Sequence, residues 1–166
     1  MEDLVTTVAT RPAVLDLRGV RVLVTGHTGF KGAWLSEWLL QAGARVYGIG
    51  LPPESPDALF YKLRLEARLN HSVLDIRDPA AVAAAVRNAD PEVIFHLAAQ
   101  ALVRRSYREP LVTWQTNVNG TLNVLEAARM ISRPITVIVV TSDKVYRNRE
   151  WEFPYREEDE LGGYDP

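Results

Sequence analysis

Short β-branched runs alternate with segments of helical spacing along most of this chain. Val20 to Thr25 (VRVLVT) reads as a strand ending at Gly26, and Phe30 to Gln41 carries Trp34, Leu35, Trp38 and Leu39 at helical intervals. Ala42-Gly43-Ala44 stops that helix, and Arg45 to Gly50 (RVYGIG) resumes as a second strand. Three prolines between Leu51 and Asp57 require a loop. A helix over Ala58 to Leu69 and a third strand at His71 to Asp75 follow. Asp78-Pro79 opens the next helix, because an Asp side chain caps free amides while Pro suits the first helical turn. Glu92 to Leu97 is the fourth strand, Leu102 to Ile131 is largely helical with a break near Pro110, and Ile135 to Thr141 (ITVIVVT) is the fifth strand. The last is almost entirely β-branched, the composition of a strand covered on both faces.

Strands alternating with helices at this spacing imply βαβ units, right-handed crossovers and a doubly wound, Rossmann-type α/β fold with a parallel sheet. The reading divides the chain into a leader at residues 1–19 and one domain at residues 20–166, whose residues 143–166 form a polar, aromatic loop region. A total of 166 residues suits a single core. Trp34 and Trp38, one helical turn apart, are expected in that core.

Composition narrows the function classes. A formal charge of -2 supplies no net attraction for nucleic acid or an anionic membrane surface, and no apolar run approaches the roughly 20 residues that span a bilayer. Cysteine is absent, which excludes disulfides and thiolate chemistry and fits a cytoplasmic protein. His27, His71 and His96 are too scattered in sequence to suggest a metal site.

The chemistry begins at GHTGFKG. Gly26, Gly29 and Gly32 follow a strand and open a helix, where small residues admit a pyrophosphate and first-turn amides, here from Thr28 to Gly32 with Phe30 and Lys31 between, aim at its charge. The alternative for the same glycines is a turn that needs them for positive φ alone. A second group, Thr141-Ser142-Asp143-Lys144, follows the fifth strand, at the sheet edge where such folds bind ligands. Its alternative is a solvated polar strand end.

The G-x-x-G-x-x-G spacing resembles the extended branch of the short-chain dehydrogenase/reductase superfamily. The motifs HTGFKG, HLAAQALVRRSY, TNVNGT, TSDKVY and NREWEFPYREEDELGGYDP together resemble the CDP-glucose 4,6-dehydratase family within it, with Lys144 where dTDP-glucose enzymes carry Glu. The resemblance implies NAD as cofactor, a nucleotide-sugar substrate and a homodimer or higher homo-oligomer. It implies adenine contacts at Asp75 and Ile76, a small-residue turn under the cofactor at Leu97, Ala98 and Ala99, and Gln100, Asn117 and Thr141 toward the nicotinamide side. For the sugar it implies Ser142 on the C4 oxygen, Asp143 as acid for the departing 6-hydroxyl and Lys144 as a candidate C5 base, with Arg104 a candidate diphosphate contact.

Two departures qualify this picture. The second strand ends Gly48-Ile49-Gly50-Leu51, with neither the Asp that would hold an adenosine 2′-hydroxyl nor an Arg for a 2′-phosphate. The family's Tyr-x-x-x-Lys would follow Gly-Tyr-Asp-Pro, where this chain ends, so the sixth strand and substrate domain are missing and the 166 residues alone are expected to be inactive. Loss of the partner helix would also leave Leu122 and Leu125 exposed. A nucleotide-sugar 4-epimerase, a GDP-mannose-type dehydratase and a non-catalytic dinucleotide-binding module stand as alternatives.

Overall fold

The computed structural model describes residues 16–163. Its sheet has β1 (Arg21–Thr25), β2 (Arg45–Gly50), β3 (Asn70–Val73), β4 (Val93–His96) and β5 (Thr136–Val139), all parallel, in the order β3-β2-β1-β4-β5. The direction of winding reverses between β1 and β4, so the loops after those strands diverge and open a crevice at their C-terminal ends. Register places Thr25 beside Ile49 on one side and His96 on the other.

Alternation along β1 builds a core on each face of the sheet. Val22 and Val24 pack with Ala33 and Leu39 of α1 (Phe30–Gln41) and with Phe60 of α2 (Leu59–Lys62). Leu23 points the other way, toward Val82 and Val86 of α3 (Pro79–Ala89) and Val124 of the α6 helix (Gly120–Arg129). Each fully buried Val or Leu contributes about 1.5–3 kcal/mol relative to exposure. The cap read at Asp78 forms: its carboxylate accepts the amides of Ala80 and Ala81, both at 3.0 Å, with Pro79 in the first turn.

Between β4 and α6 the chain runs through α4 (Val103–Arg108), α5 (Pro110–Trp114) and a π-helical turn at Gln115–Asn119. Glu109, non-helical at φ -131° and ψ 59° ahead of Pro110, makes the expected break.

The structure corrects several expectations. Trp34 and Trp38 are 53% and 55% exposed, because α1 turns its small residues, Gly32, Ala33 and Ser36, with Leu39, toward β1. The helix expected over Ala58 to Leu69 is broken at Arg64, whose φ of 52° separates α2 from a 3-10 turn at Leu65–Ala67. The third strand begins at Asn70 and ends at Val73, short of Asp75. β5 is not covered on both faces: it pairs with β4 alone among the described residues, and Ile138, Val139 and Val140 are exposed. Leu17 is buried in the α1-side core, and the Gly19 amide donates to Gly43 O at 2.8 Å. Residues 1–15 of the leader lie outside the described residues, as do Tyr164, Asp165 and Pro166 of the loop region.

Candidate coenzyme and nucleotide-sugar site

The loop after β1 is held by backbone constraints that only glycine meets. Gly26 has φ of +72°, and a Cβ there would stand 2.9 Å from the backbone of Ala98. A Cβ on Gly32 would fall inside 3.0 Å of Gly26 O and His27 Cα, so α1 and the loop touch backbone to backbone. Gly29 is the N-cap of α1, no side chain caps the helix among the described residues, and its first turn carries no acid. The amides of Phe30, Lys31 and Gly32 therefore face the crevice together with the helix dipole, an arrangement that fits a pyrophosphate. Lys31 and Phe30 are exposed at the same end, while Thr28 Oγ1 donates to Leu51 O at 2.8 Å and ties the loop to the end of β2.

His27, the second residue of the loop, turns inward and is fully buried. Its ring lies 5.3 Å from that of Phe60 and 5.5 Å from that of His71, and neither of its nitrogens has a hydrogen-bond partner among the described residues. Burial lowers its pKa to about 4; nearby His71 adds to the effect and the Ile49 carbonyl opposes it. The ring occupies the place where Gly48 has no side chain, since a Cβ on Gly48 would lie under 3.0 Å from His27 Cγ, Cδ2 and Nδ1. Packing thus explains the glycine at position 48, whereas at Gly50, the last residue of β2, the atoms nearest an added Cβ stand at 3.4 Å or beyond.

Beyond β3, Asp75 accepts the Arg77 amide at 2.9 Å and the Arg77 guanidinium at 2.6 and 2.9 Å. Those bonds hold its carboxyl below the usual range. Asp75, Arg77, Asp78, Gln115 and Asn119 line an open cleft of about 440 Å³ beside this strand end. The Ile76 side chain is buried against Gly120, and its carbonyl accepts from Asn123 at 2.9 Å.

The turn after β4 is tied on every side. Thr25 Oγ1 accepts the amides of Leu97 and Ala98, both at 3.1 Å. Asn117, in the π-helical turn, accepts the Gln100 amide at 2.7 Å and donates to the Gln100 carbonyl at 3.0 Å. Its amide group is thus spent on holding the turn. The Gln100 side chain folds back onto Leu102 and Thr113, and Ala99 alone of this group is exposed.

After β5, Thr141, Ser142 and Lys144 are exposed, and Ser142 Oγ accepts the Lys144 amide at 3.2 Å. Asp143 begins a 3-10 turn, and its side chain lies outside the described residues. Lys144 does not have, among the described residues, the burial its role as a base calls for. Arg104 is exposed on α4, one position from Arg105, which pairs with Glu109 at 3.0 Å. The following segment folds on itself: Tyr146 bridges to Leu161, Tyr155 stacks on Tyr146 at 5.2 Å, and Glu160 pairs with both Arg147 and Arg149.

A family model described as GDP-mannose 4,6 dehydratase matches residues 23–166. The chain belongs to this family. It is 46% identical over 149 residues to the CDP-glucose 4,6-dehydratase of Salmonella typhimurium, covering 90% of this chain and 42% of that protein. A probable UDP-glucuronate 4-epimerase of Rhizobium meliloti is 33% identical over 84% of this chain and 42% of its own length. Among solved structures, the UDP-glucose 4-epimerase of Thermus thermophilus in complex with NAD superposes with a TM-score of 0.75 at 29% identity, over 88% of this chain and 45% of that one. The chain therefore spans less than half the length of these relatives. Among the described residues no helix is long and apolar enough to cross a membrane.

Sequence reasoning named the loops and missed what fastens them. Thr25, His96 and Thr121 form a buried chain of hydrogen bonds behind the turn after β4: Thr25 Oγ1 lies 2.7 Å from His96 Nδ1, and His96 Nε2 lies 2.9 Å from Thr121 Oγ1. The available signal was alternation, since Ile94 and His96 fall on the same face of β4 and both are buried.

Proposed function

We propose that this chain is the coenzyme-binding part of a sugar-nucleotide 4,6-dehydratase that takes NAD as cofactor and CDP-glucose as substrate. The observation that carries the reading is the glycine loop: an uncapped helix N-terminus at the sheet's switch point, with no side chain on Gly26 or Gly32 between it and a diphosphate. The choice of CDP-glucose rests on the 46% identity to the Salmonella enzyme. In the bound state the dinucleotide would supply a hydride acceptor at sugar C4 and a hydride donor at C6, with net loss of water across C5 and C6.

The residues of this chain then divide the work by position. The amides of Phe30, Lys31 and Gly32, with Gly26, Thr28 and Gly29 shaping the loop, hold the pyrophosphate. Asp75 and the Ile76 backbone face the adenine. Leu97, Ala98 and Ala99 form the floor under the adenosine ribose, while Gln100, Asn117 and Thr141 bound the nicotinamide end. Ser142 Oγ donates to the sugar C4 oxygen, Asp143 protonates the departing 6-hydroxyl, and Lys144 faces C5. Arg104 meets the substrate diphosphate. We read the protein as cytoplasmic and as a homodimer through the α4–α6 side, where Leu122 and Leu125 are exposed.

Calorimetric titration of the folded chain with NAD, NADP, CDP-glucose and dTDP-glucose tests the reading. Uptake of NAD, with CDP-glucose preferred over dTDP-glucose in the full-length protein, is the expected result. A folded chain that takes up neither form of the dinucleotide refutes it.

A further inference from the structure

We propose that His96 is a positioning residue, fixed as its Nε2–H tautomer, which locks the turn at residues 97–100 to the π-helical turn and to the root of the glycine loop. Donor and acceptor counts leave one consistent assignment. Thr25 Oγ1 already accepts the Ala98 amide hydrogen and shares that of Leu97 with the Thr25 carbonyl, so its own hydrogen goes to His96 Nδ1. Nδ1 is then an acceptor and the ring hydrogen sits on Nε2. That hydrogen is donated to Thr121 Oγ1 at 2.9 Å, whose own hydrogen goes to the Asn117 carbonyl at 2.7 Å. The opposite tautomer would crowd three N–H donors around Thr25 Oγ1. It would also leave Nε2 asking for a Thr121 hydrogen that is already committed.

The chain of bonds has consequences at both loops. Thr25 immediately precedes Gly26, and Asn117 grips both backbone groups of Gln100. Strand pairing and Thr25 set the turn after β4 against the loop after β1, and one buried imidazole, 3% exposed, ties that joint to Thr121 and so to the π-helical turn. The π-helical turn has a part in this, because its wider winding carries Asn117 where it reaches Gln100 while Thr121 still reaches Asn117 O. Burial also lowers the pKa of His96, which keeps the ring in the neutral form the network needs.

That these loops face a coenzyme rests on the function proposed above; the positioning itself is measured without one. Long-range ¹H–¹⁵N correlation on the full chain with labelled histidine should show His96 Nδ1 unprotonated and Nε2 protonated. Thr121→Val should speed amide exchange at Gln100 and raise the NAD Kd, each roughly tenfold, and Thr121→Ser should restore both. A protonated Nδ1 overturns the proposal. So does a folded Thr121→Val chain with unchanged Gln100 exchange, or one that loses thermal stability but keeps its NAD affinity. If the unaltered chain takes up no NAD while the tautomer and the exchange behave as stated, the coenzyme reading falls and the role of His96 stands. Should Thr121→Val not fold, the tautomer of the unaltered chain decides.

Discussion

Gly48→Ala offers a direct test of how the glycine loop is seated. A methyl group at this position would meet three atoms of the His27 ring at under 3.0 Å, and the ring is wedged between Phe60 and His71 with no exposed surface into which it can retreat. Overpacking of a dense core costs about 1–3 kcal/mol. Gly48 lies in a strand and has no positive φ, so the same substitution without the clash would stabilise by roughly 0.5–1 kcal/mol through the unfolded chain. The net expectation is a loss of about 1 kcal/mol in the native background. In His27→Ala the ring is gone, and Gly48→Ala should be neutral or stabilising, which gives a coupling of about 1–3 kcal/mol between the two sites. Urea denaturation of the four proteins measures it, provided the slope with denaturant is unchanged. An equal cost of Gly48→Ala in both backgrounds would refute the claim that the His27 ring is the reason position 48 is glycine.

Three further outcomes follow from the same structure. Gly32→Ala, which drives a Cβ into Gly26 O, should weaken NAD at least tenfold in calorimetry while leaving the cleft at Asp75 intact; unaltered affinity would show that the loop and α1 need not touch. Asp78→Ala, which strips two amides of their acceptor, should cost about 1 kcal/mol in thermal unfolding, and a neutral result would mean that water caps α3 equally well. Unfolded His27 takes up a proton near 6.5 whereas the folded ring stays neutral down to about 4, so the unfolded state binds the extra proton between those values and stability falls as pH drops through them. Between pH 7 and pH 5 this amounts to about 2 kcal/mol for His27 alone, with His96 acting in the same direction. Urea midpoints that do not move over that interval would contradict the burial of both rings.

The strand order and the loops at its switch point were legible because they are written in local pattern: β-branched runs, a glycine triplet between strand and helix, an Asp-Pro cap. Trp34 and Trp38 misled for a physical reason. Ring size argues for burial only where there is room, and α1 approaches β1 through Gly32, Ala33 and Ser36, which puts the large rings on the other side. β5 misled similarly, since β-branched composition favours a strand without saying what covers it, and Ile138 is exposed on this edge strand. The break at Arg64 and the π-helical turn left no signal in periodicity, because a single residue in the left-handed region, or one extra residue per turn, alters direction without altering composition.

His27 and His96 show a different kind of limit. Each histidine is unremarkable in sequence, and its meaning depends on what register brings beside it. Parallel pairing sets His96 against Thr25, and this turns a polar residue in an apolar strand into the centre of a satisfied network. The same sheet sets Gly48 under His27, whose ring packs against Phe60 and His71 with the Ile49 carbonyl nearby, and neither nitrogen has a hydrogen-bond partner among the described residues. The two rings therefore respond differently to loss of their surroundings. Removing a partner of His96 strands a buried donor or acceptor, whereas the nitrogens of His27 have no hydrogen-bond partner to lose among the described residues. The glycine loop is thus held on the β2 side by the packing of His27 and the Thr28 bond to Leu51 O, and on the β4 side by the close approach of Gly26 to Ala98 and by the amides of Leu97 and Ala98 on Thr25 Oγ1.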